Sequence, residues 1–134
     1  MKKQFVFVAA IAAFSAFFSC KKSDTPAAPT ATPAEGNWVG KYGSGGAPQT
    51  FYYAFQFNTG GTMVVKSNDA ILPDMGTGTW TLSNDSIRST YTYTNAGSTF
   101  SMIGKYDGKS NTISGTWGAG TSNKGGGTFT INRQ

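Results

Sequence analysis

From Gly36 to Gln134, apolar and polar residues alternate along the chain in short runs that turn residues separate. Alternation with a period of two places successive side chains on opposite faces of a strand, and is typical of antiparallel strands with one buried face. No helical period lasts longer than one turn in this segment. The pattern predicts eight strands, at about 36–42, 49–57, 61–66, 77–82, 86–94, 98–106, 112–117 and 127–133.

One face of each predicted strand collects the large side chains, including all three tryptophans and nearly every aromatic residue, with Tyr52 as the clear exception. The opposite faces carry lysine, arginine and a long series of threonines. The ring-bearing faces therefore require a common interior. The residues expected to point inward are Trp38, Gly40, Tyr42, Phe51, Tyr53, Phe55, Phe57, Met63, Val65, Gly78, Trp80, Leu82, Ile87, Ser89, Tyr91, Tyr93, Phe100, Met102, Gly104, Tyr106, Ile113, Gly115, Trp117, Phe129, Ile131 and Arg133.

A glycine precedes an aromatic residue by two positions at five places in the predicted strands. This spacing keeps the glycine and the ring on one face, so we expect the inward glycines to leave room for neighbouring rings. The five pairs are Gly36 with Trp38, Gly40 with Tyr42, Gly78 with Trp80, Gly104 with Tyr106, and Gly115 with Trp117.

The predicted connections alternate between short and long. Those after strands 2, 4 and 6 are tight turns, whereas Gly43–Pro48, Ser67–Gly76 and Gly118–Gly126 follow strands 1, 3 and 7 as longer loops. In an up-and-down meander, alternate loops lie at opposite ends of the sheet. The sequence thus predicts a cup with one closed, tight end and one open end.

Eight hairpin-linked strands can close into a barrel, which removes the unpaired edges of a flat sheet. Closure would bring Trp38 of the first strand beside Arg133 of the last, with the guanidinium over the indole face. The Gly36-Asn37-Trp38 opening and the late Arg133 resemble the lipocalin-like proteins of the calycin group, which implies a small all-β, eight-stranded antiparallel up-and-down barrel over residues 36–134. Residues 113–117 also look like avidin-family strands, but no matching set of biotin contacts is present.

The N-terminus has the features of an export signal. Lys2 and Lys3 precede an uncharged stretch of 14 residues, Phe5–Phe18, which is shorter than the roughly 20 apolar residues that span a bilayer as a helix. Residues 17–20, Phe-Phe-Ser-Cys, resemble the lipobox of bacterial lipoproteins, although both phenylalanines depart from its usual residues. The resemblance implies removal of residues 1–19 and acylation, for example with palmitate, of Cys20, which is the chain's single cysteine. The alternative is an ordinary secretory signal cleaved after Ser15.

Residues 20–35 contain three of the five prolines and almost no large apolar side chain. Such a segment buries too little surface to fold alone and favours extended polyproline II, so it is predicted to be a tether with a reach of about 45 Å. The predicted location is therefore the cell envelope, lipid-anchored, and Lys21 after Cys20 resembles lipoproteins sorted to an outer membrane. The charges from Gly36 onward are scattered singly with no basic run, so no nucleic-acid partner is expected.

The inventory of reactive side chains argues against an enzyme. The chain has no histidine, which is the commonest general base and metal ligand, and acylation would consume Cys20. Asp69 and Asp74 with Asn68 could share a calcium ion, but their spacing resembles no known calcium loop, so neither a metal nor a cofactor is predicted. Gly125–Gly127 is interpreted as a flexible loop rather than an anion site.

The remaining candidate site is the inner surface at the open end, where rings could bind a small hydrophobic or aromatic ligand or simply fill the barrel. We expect the half of the interior nearer the open end, the upper half, to contain the candidate ligand-binding residues Tyr42, Tyr53, Trp80, Tyr93 and Trp117, together with Phe51, Tyr91 and Phe100. The long loop with Ile71, Leu72 and Met75 could cover the mouth, contact a partner protein, or pin itself to the barrel. We therefore expect a non-enzymatic binding lipoprotein, with an interaction or inhibitor lipoprotein that acts on an envelope protein through its rim loops as the alternative.

Overall fold

The computed structural model describes residues 32–134, so the predicted signal peptide, Cys20 and most of the predicted tether lie outside the described residues. The described chain forms eight strands: β1 (Gly36–Ser44), β2 (Phe51–Phe57), β3 (Thr62–Asn68), β4 (Asp74–Ser83), β5 (Ser86–Tyr93), β6 (Thr99–Asp107), β7 (Thr112–Ala119) and β8 (Gly127–Arg133). Each strand pairs antiparallel with its neighbour, and β1 also pairs with β8. The predicted all-β, closed, up-and-down eight-stranded barrel is confirmed.

Within residues 32–134 there is no helix with the length and hydrophobicity needed to cross a membrane.

The connections differ between the two ends of the barrel as predicted, but less strongly. Loops at the closed end span residues 58–61, 84–85 and 108–111, whereas those at the open end span 45–50, 69–73, 94–98 and 120–126. The long loop predicted at 67–76 is shorter, because β3 continues to Asn68 and β4 begins at Asp74. The two-residue β4–β5 turn places Asn84 at a φ of 53°, a left-handed conformation that asparagine tolerates better than most residues.

Below the open end, the barrel interior is a packed core. Most of the large side chains predicted to point inward are buried, and side chains from all eight strands contribute to the interior. Phe51 departs from the prediction, since it lies at the rim and is 49% exposed. The largest fully buried side chains are Trp38, Phe55, Phe57, Phe129, Met63, Ile87, Met102, Ile113, Ile131 and Val65.

The inward glycines have two different structural roles. At Gly104 an added Cβ would lie 2.7 Å from Ile113 and 3.1 Å from the Phe129 ring, so this glycine leaves room for core side chains as expected. At Gly40, Gly78 and Gly115 the added atom would instead lie 2.0–2.1 Å from a carbonyl oxygen of the adjacent strand. These glycines therefore permit the close backbone approach of a tightly curved barrel, a role that the prediction did not include.

Residues 32–35 close the tight end beneath the core. Ala34 is fully buried, and its carbonyl accepts a hydrogen bond from Trp38 Nε1 at 2.9 Å. The Arg133 guanidinium carbon lies 4.7 Å from the centre of the Trp38 ring. Arg133 also donates to the carbonyls of Pro33 and Glu35, the latter at 2.7 Å. The residues that precede β1 are therefore hydrogen-bonded to the end of β8. The buried core extends to Ala34, before the first strand begins.

Candidate functional site

A cavity of about 250 Å³ occupies the open end of the barrel. Its walls combine side chains from strands on all sides of the barrel with the loop at residues 94–98, whose exposed residues form part of the mouth. Six aromatic rings line it, together with a small set of polar groups. The lining residues are Tyr42, Tyr53, Ser67, Asn68, Asp74, Met75, Tyr91, Tyr93, Asn95, Ala96, Ser98, Phe100 and Trp117.

Two buried tyrosines contribute hydroxyls to the inner part of this cavity. The hydroxyls of Tyr53 and Tyr91 hydrogen-bond to each other, and both residues are almost completely buried. Burial raises the pKa of both tyrosines, and raises the pKa of Tyr93 to about 12. All three hydroxyls are therefore protonated and neutral at physiological pH. One hydroxyl proton is used between Tyr53 and Tyr91, and the Tyr93 hydroxyl lies close enough to interact with that of Tyr91.

Edge-to-face and stacked ring contacts hold the cavity walls. Tyr42 lies 5.6 Å from Trp117 at 90° and 5.3 Å from Phe51 in a stacked arrangement. Phe100 contacts both Trp117 and Tyr93, with centroid distances of 5.8 and 5.7 Å. Trp117 Nε1 donates a hydrogen bond to the Gly43 carbonyl at 3.1 Å. These contacts fix the ring faces before any ligand arrives, so binding would order few side chains.

A chain of polar contacts crosses one side of the mouth. The Tyr42 hydroxyl donates to Asn68 Oδ1, and Asn68 Nδ2 donates to Asp74 Oδ2. Asn68 has a φ of 71°, which lies in the left-handed region that asparagine tolerates. The sequence suggests a role for Asn68 and Asp74 only as calcium ligands, together with Asp69. Both residues line the cup because β3 and β4 extend beyond their predicted ends. Among residues 32–134, no group of three histidine, cysteine, aspartate or glutamate side chains could hold a metal ion.

Four of the five candidate ligand-binding residues line this cavity: Tyr42, Tyr53, Tyr93 and Trp117. The predicted position of Trp80 in the upper half is wrong. Trp80 lies near the closed end, where its ring contacts Phe57 at 4.9 Å and its Nε1 donates to the Asn58 carbonyl at 3.0 Å. Because β4 begins three residues earlier than predicted, Trp80 is the seventh residue of a ten-residue strand that runs toward the closed end. Tyr91 and Phe100, predicted for the upper half, line the cup as well.

The loop at residues 69–73 presents apolar side chains to solvent beside the mouth. Ile71 is 87% exposed and Leu72 is 84% exposed. Asp69 Oδ1 accepts hydrogen bonds from the backbone NH groups of both residues, and these bonds lower the pKa of the Asp69 carboxyl. The loop is therefore shaped by its own polar contacts, and neither side chain is pinned into the barrel.

No protein-family model, curated protein or solved structure matches this chain. An eight-stranded antiparallel barrel closed between its first and last strands is compatible with a lipocalin-like fold.

Proposed function

We propose that this protein is a non-enzymatic lipoprotein of the cell envelope, anchored through Cys20 to a membrane, that binds a small hydrophobic or aromatic molecule in the cup at the open end of the barrel. The observation that carries the binding role is the cavity itself. It joins six preorganised aromatic rings with a few convergent hydroxyl, amide and carboxylate groups, a combination typical of small-molecule sites.

The cavity volume limits the size of the ligand. An apolar cavity of about 150 Å³ accommodates benzene, and sites for drug-sized ligands start near 300 Å³. At about 250 Å³, the cup suits a molecule with one or two rings or a short aliphatic body. Larger lipids and tetrapyrroles exceed the enclosed space, since the packed core beneath the cup begins at Tyr53 and Tyr91.

A role in binding rather than catalysis agrees with the side chains at the cup. The tyrosine hydroxyls are protonated at neutral pH, as tyrosine normally is, and burial raises their pKa values further. The lining contains neither histidine nor cysteine. One carboxylate, that of Asp74, is present without a partner base or acid in the lining. These groups can orient a ligand by hydrogen bonds, and they do not form an acid–base pair.

The exposed Ile71 and Leu72 favour a second candidate, in which the rim loop contacts another envelope protein. The two functions use different residues on the same end of the barrel. Substitutions in the cup and on the rim therefore separate them.

The first experiment uses the full chain carrying Cys20→Ser, expressed in bacteria and purified without detergent. Native mass spectrometry should detect a retained small molecule. After its removal, titration with 2-phenylethanol as a neutral aromatic probe should show saturable binding by calorimetry. Trp117→Leu keeps an apolar side chain but removes a large ring face, and should weaken probe binding by about three- to tenfold. Leu72→Asp should leave the probe affinity unchanged.

Circular dichroism and thermal unfolding of both variants serve as the folding control, because Trp117 also bonds to Gly43. An empty barrel that binds no probe would refute the cup as a ligand site. If Leu72→Asp abolished an activity of the protein in cells while Trp117→Leu preserved it, the rim-loop function would replace the cup function.

A further inference from the structure

We propose that the cup is selective for small organic cations, namely a protonated amine or a quaternary ammonium group on an apolar body. This inference rests on the proposed binding role and specifies its ligand class. It follows from the combination of one carboxylate with six aromatic rings in a single cavity.

The charge of the cup is opposite to that of the barrel as a whole. From Gly36 to Gln134 the chain carries seven lysine and arginine residues against four acidic residues. Among the residues that line the cavity, however, Asp74 is the single charged side chain, and neither lysine nor arginine is present. Asp74 therefore supplies the formal charge of the cavity lining, and this charge is negative although the barrel as a whole is basic.

The Asp74 carboxylate is held in position from one side. Its Oδ2 accepts the hydrogen bond from Asn68 Nδ2, and Asn68 in turn accepts the hydrogen bond from the Tyr42 hydroxyl. Within residues 32–134, no donor forms a hydrogen bond to Asp74 Oδ1. This arrangement leaves one carboxylate oxygen to receive a hydrogen bond or an ion-pair contact from a ligand.

The carboxylate also lies near the tyrosines of the cup. Burial raises the pKa of Tyr42, and the negative charge of Asp74 raises it further. The same charge adds to the rise at Tyr93, where burial is the main cause. The carboxylate therefore lies close to both tyrosines in the lining of the cavity.

The aromatic rings reinforce this preference. The face of a tyrosine, phenylalanine or tryptophan ring carries partial negative charge and attracts an ammonium group within about 6 Å of the ring centre. Tyr42 and Tyr93 lie close enough to Asp74 to feel its charge, and Trp117 lines the same cavity, so a cation bound to the carboxylate would have aromatic rings around it. An anionic ligand would be repelled by the carboxylate, and a neutral ligand would gain apolar contacts and hydrogen bonds but no ion-pair contact.

Three probes of similar size and different charge test this selectivity: 2-phenylethylamine, 2-phenylethanol and phenylacetate. The full chain carrying Cys20→Ser is titrated with each at pH 7 by calorimetry. We expect the amine to bind about three- to tenfold more tightly than the alcohol, and phenylacetate to bind more weakly than either. Asp74→Asn should remove most of the advantage of the amine and change the affinity for the alcohol much less, because the amide oxygen can still accept a hydrogen bond.

Asp85→Asn is the matched control, because it makes the same charge change in the two-residue turn at the closed end. It should leave all three affinities unchanged. If the alcohol binds as tightly as the amine, or if Asp74→Asn and Asp85→Asn affect the amine equally, selectivity for cations is wrong and the cup remains a binding site. If none of the three probes binds, both the selectivity and the proposed binding role fail.

Discussion

At the scale of single residues, two buried serines on adjacent strands have opposite hydrogen-bonding states. Ser89 Oγ has no hydrogen-bond partner among residues 32–134. The Ser101 hydroxyl bonds to the Gly120 carbonyl at 2.8 Å and to the Thr90 hydroxyl at 2.9 Å. A buried hydroxyl without a partner costs free energy, whereas removal of a bonded one leaves its partners unsatisfied.

Ser89→Ala should therefore raise the free energy of unfolding by about 1 kcal/mol, and Ser101→Ala should lower it by about 1 kcal/mol. Urea-induced unfolding followed by tryptophan fluorescence measures both changes. The two substitutions remove the same atom from buried positions, so each is the control for the other. Equal effects of the same sign would show that hydrogen bonding does not distinguish these sites.

Alternation along the chain was sufficient to assign most of the inward-facing side chains, including four of the five candidate residues of the cup. It did not identify Asn68 and Asp74 as part of the cup, because both lie where a strand ends and polar residues there are typical of any turn. The hydrogen bond from Tyr42 to Asn68 connects residues 26 positions apart, and the one from Asn68 to Asp74 connects residues 6 positions apart. Such contacts depend on register, which period two alone does not specify.

At the scale of the elements, tight strand pairing depends on glycine at particular positions. An alanine Cβ at Gly78 would lie 2.1 Å from the Thr90 carbonyl oxygen and 2.6 Å from Tyr91 Cα. Relief of this overlap requires β4 and β5 to separate, so Gly78→Ala should lower the free energy of unfolding by about 3 kcal/mol. Gly46→Ala is the matched control, because nothing lies within 4 Å of the added atom there, and it should change stability by less than about 0.5 kcal/mol.

Thermal and chemical unfolding of the two variants provide the measurement. A loss at Gly78 as small as that at Gly46 would show that the strands separate without cost. The Gly-x-aromatic spacing identified the positions where glycine is required. At Gly40, Gly78 and Gly115, however, the glycine makes room for the backbone of the adjacent strand and not for a ring. Sequence spacing indicates that glycine shares a face with a ring, whereas the distance to the next strand depends on barrel curvature.

Strand ends were the weakest part of the sequence-based prediction. Residues 74–76 and 67–68 were assigned to a loop, because glycine, asparagine and aspartate favour turns. In the structure, residues 74–76 pair with β3 and Asn68 pairs with Tyr52 of β2. With the observed strand ends, Trp80 lies near the closed end and not in the cup, and the loop that carries Ile71 and Leu72 is shorter than predicted. The middle of each strand was reliable because buried apolar residues define it.

At the scale of the whole molecule, closure of the barrel fixes where the chain enters. Trp38 pairs with Arg133 between β1 and β8, and Arg133 binds the carbonyls of Pro33 and Glu35. The segment that leads back toward Cys20 thus leaves from the closed end. Because β1 spans nine residues, or about 30 Å at the usual rise of a strand, the mouth of the cup lies at the far end of the barrel from this segment.

An anchor at Cys20 would therefore be joined to the barrel at its closed end, opposite the mouth of the cup. Cys20→Ser should move the protein from the membrane fraction to the soluble fraction, because the acyl chains would be lost. Probe affinity should be the same for the anchored protein and the released one, since the tether leaves from the end opposite the cup. Ser19→Ala is the control, because it retains a small residue before Cys20, and it should stay in the membrane fraction. Continued membrane association of Cys20→Ser would refute the lipid anchor, and an unsubstituted protein in the soluble fraction would favour an ordinary secretory signal. A lower probe affinity in the anchored form would show that the membrane obstructs the mouth.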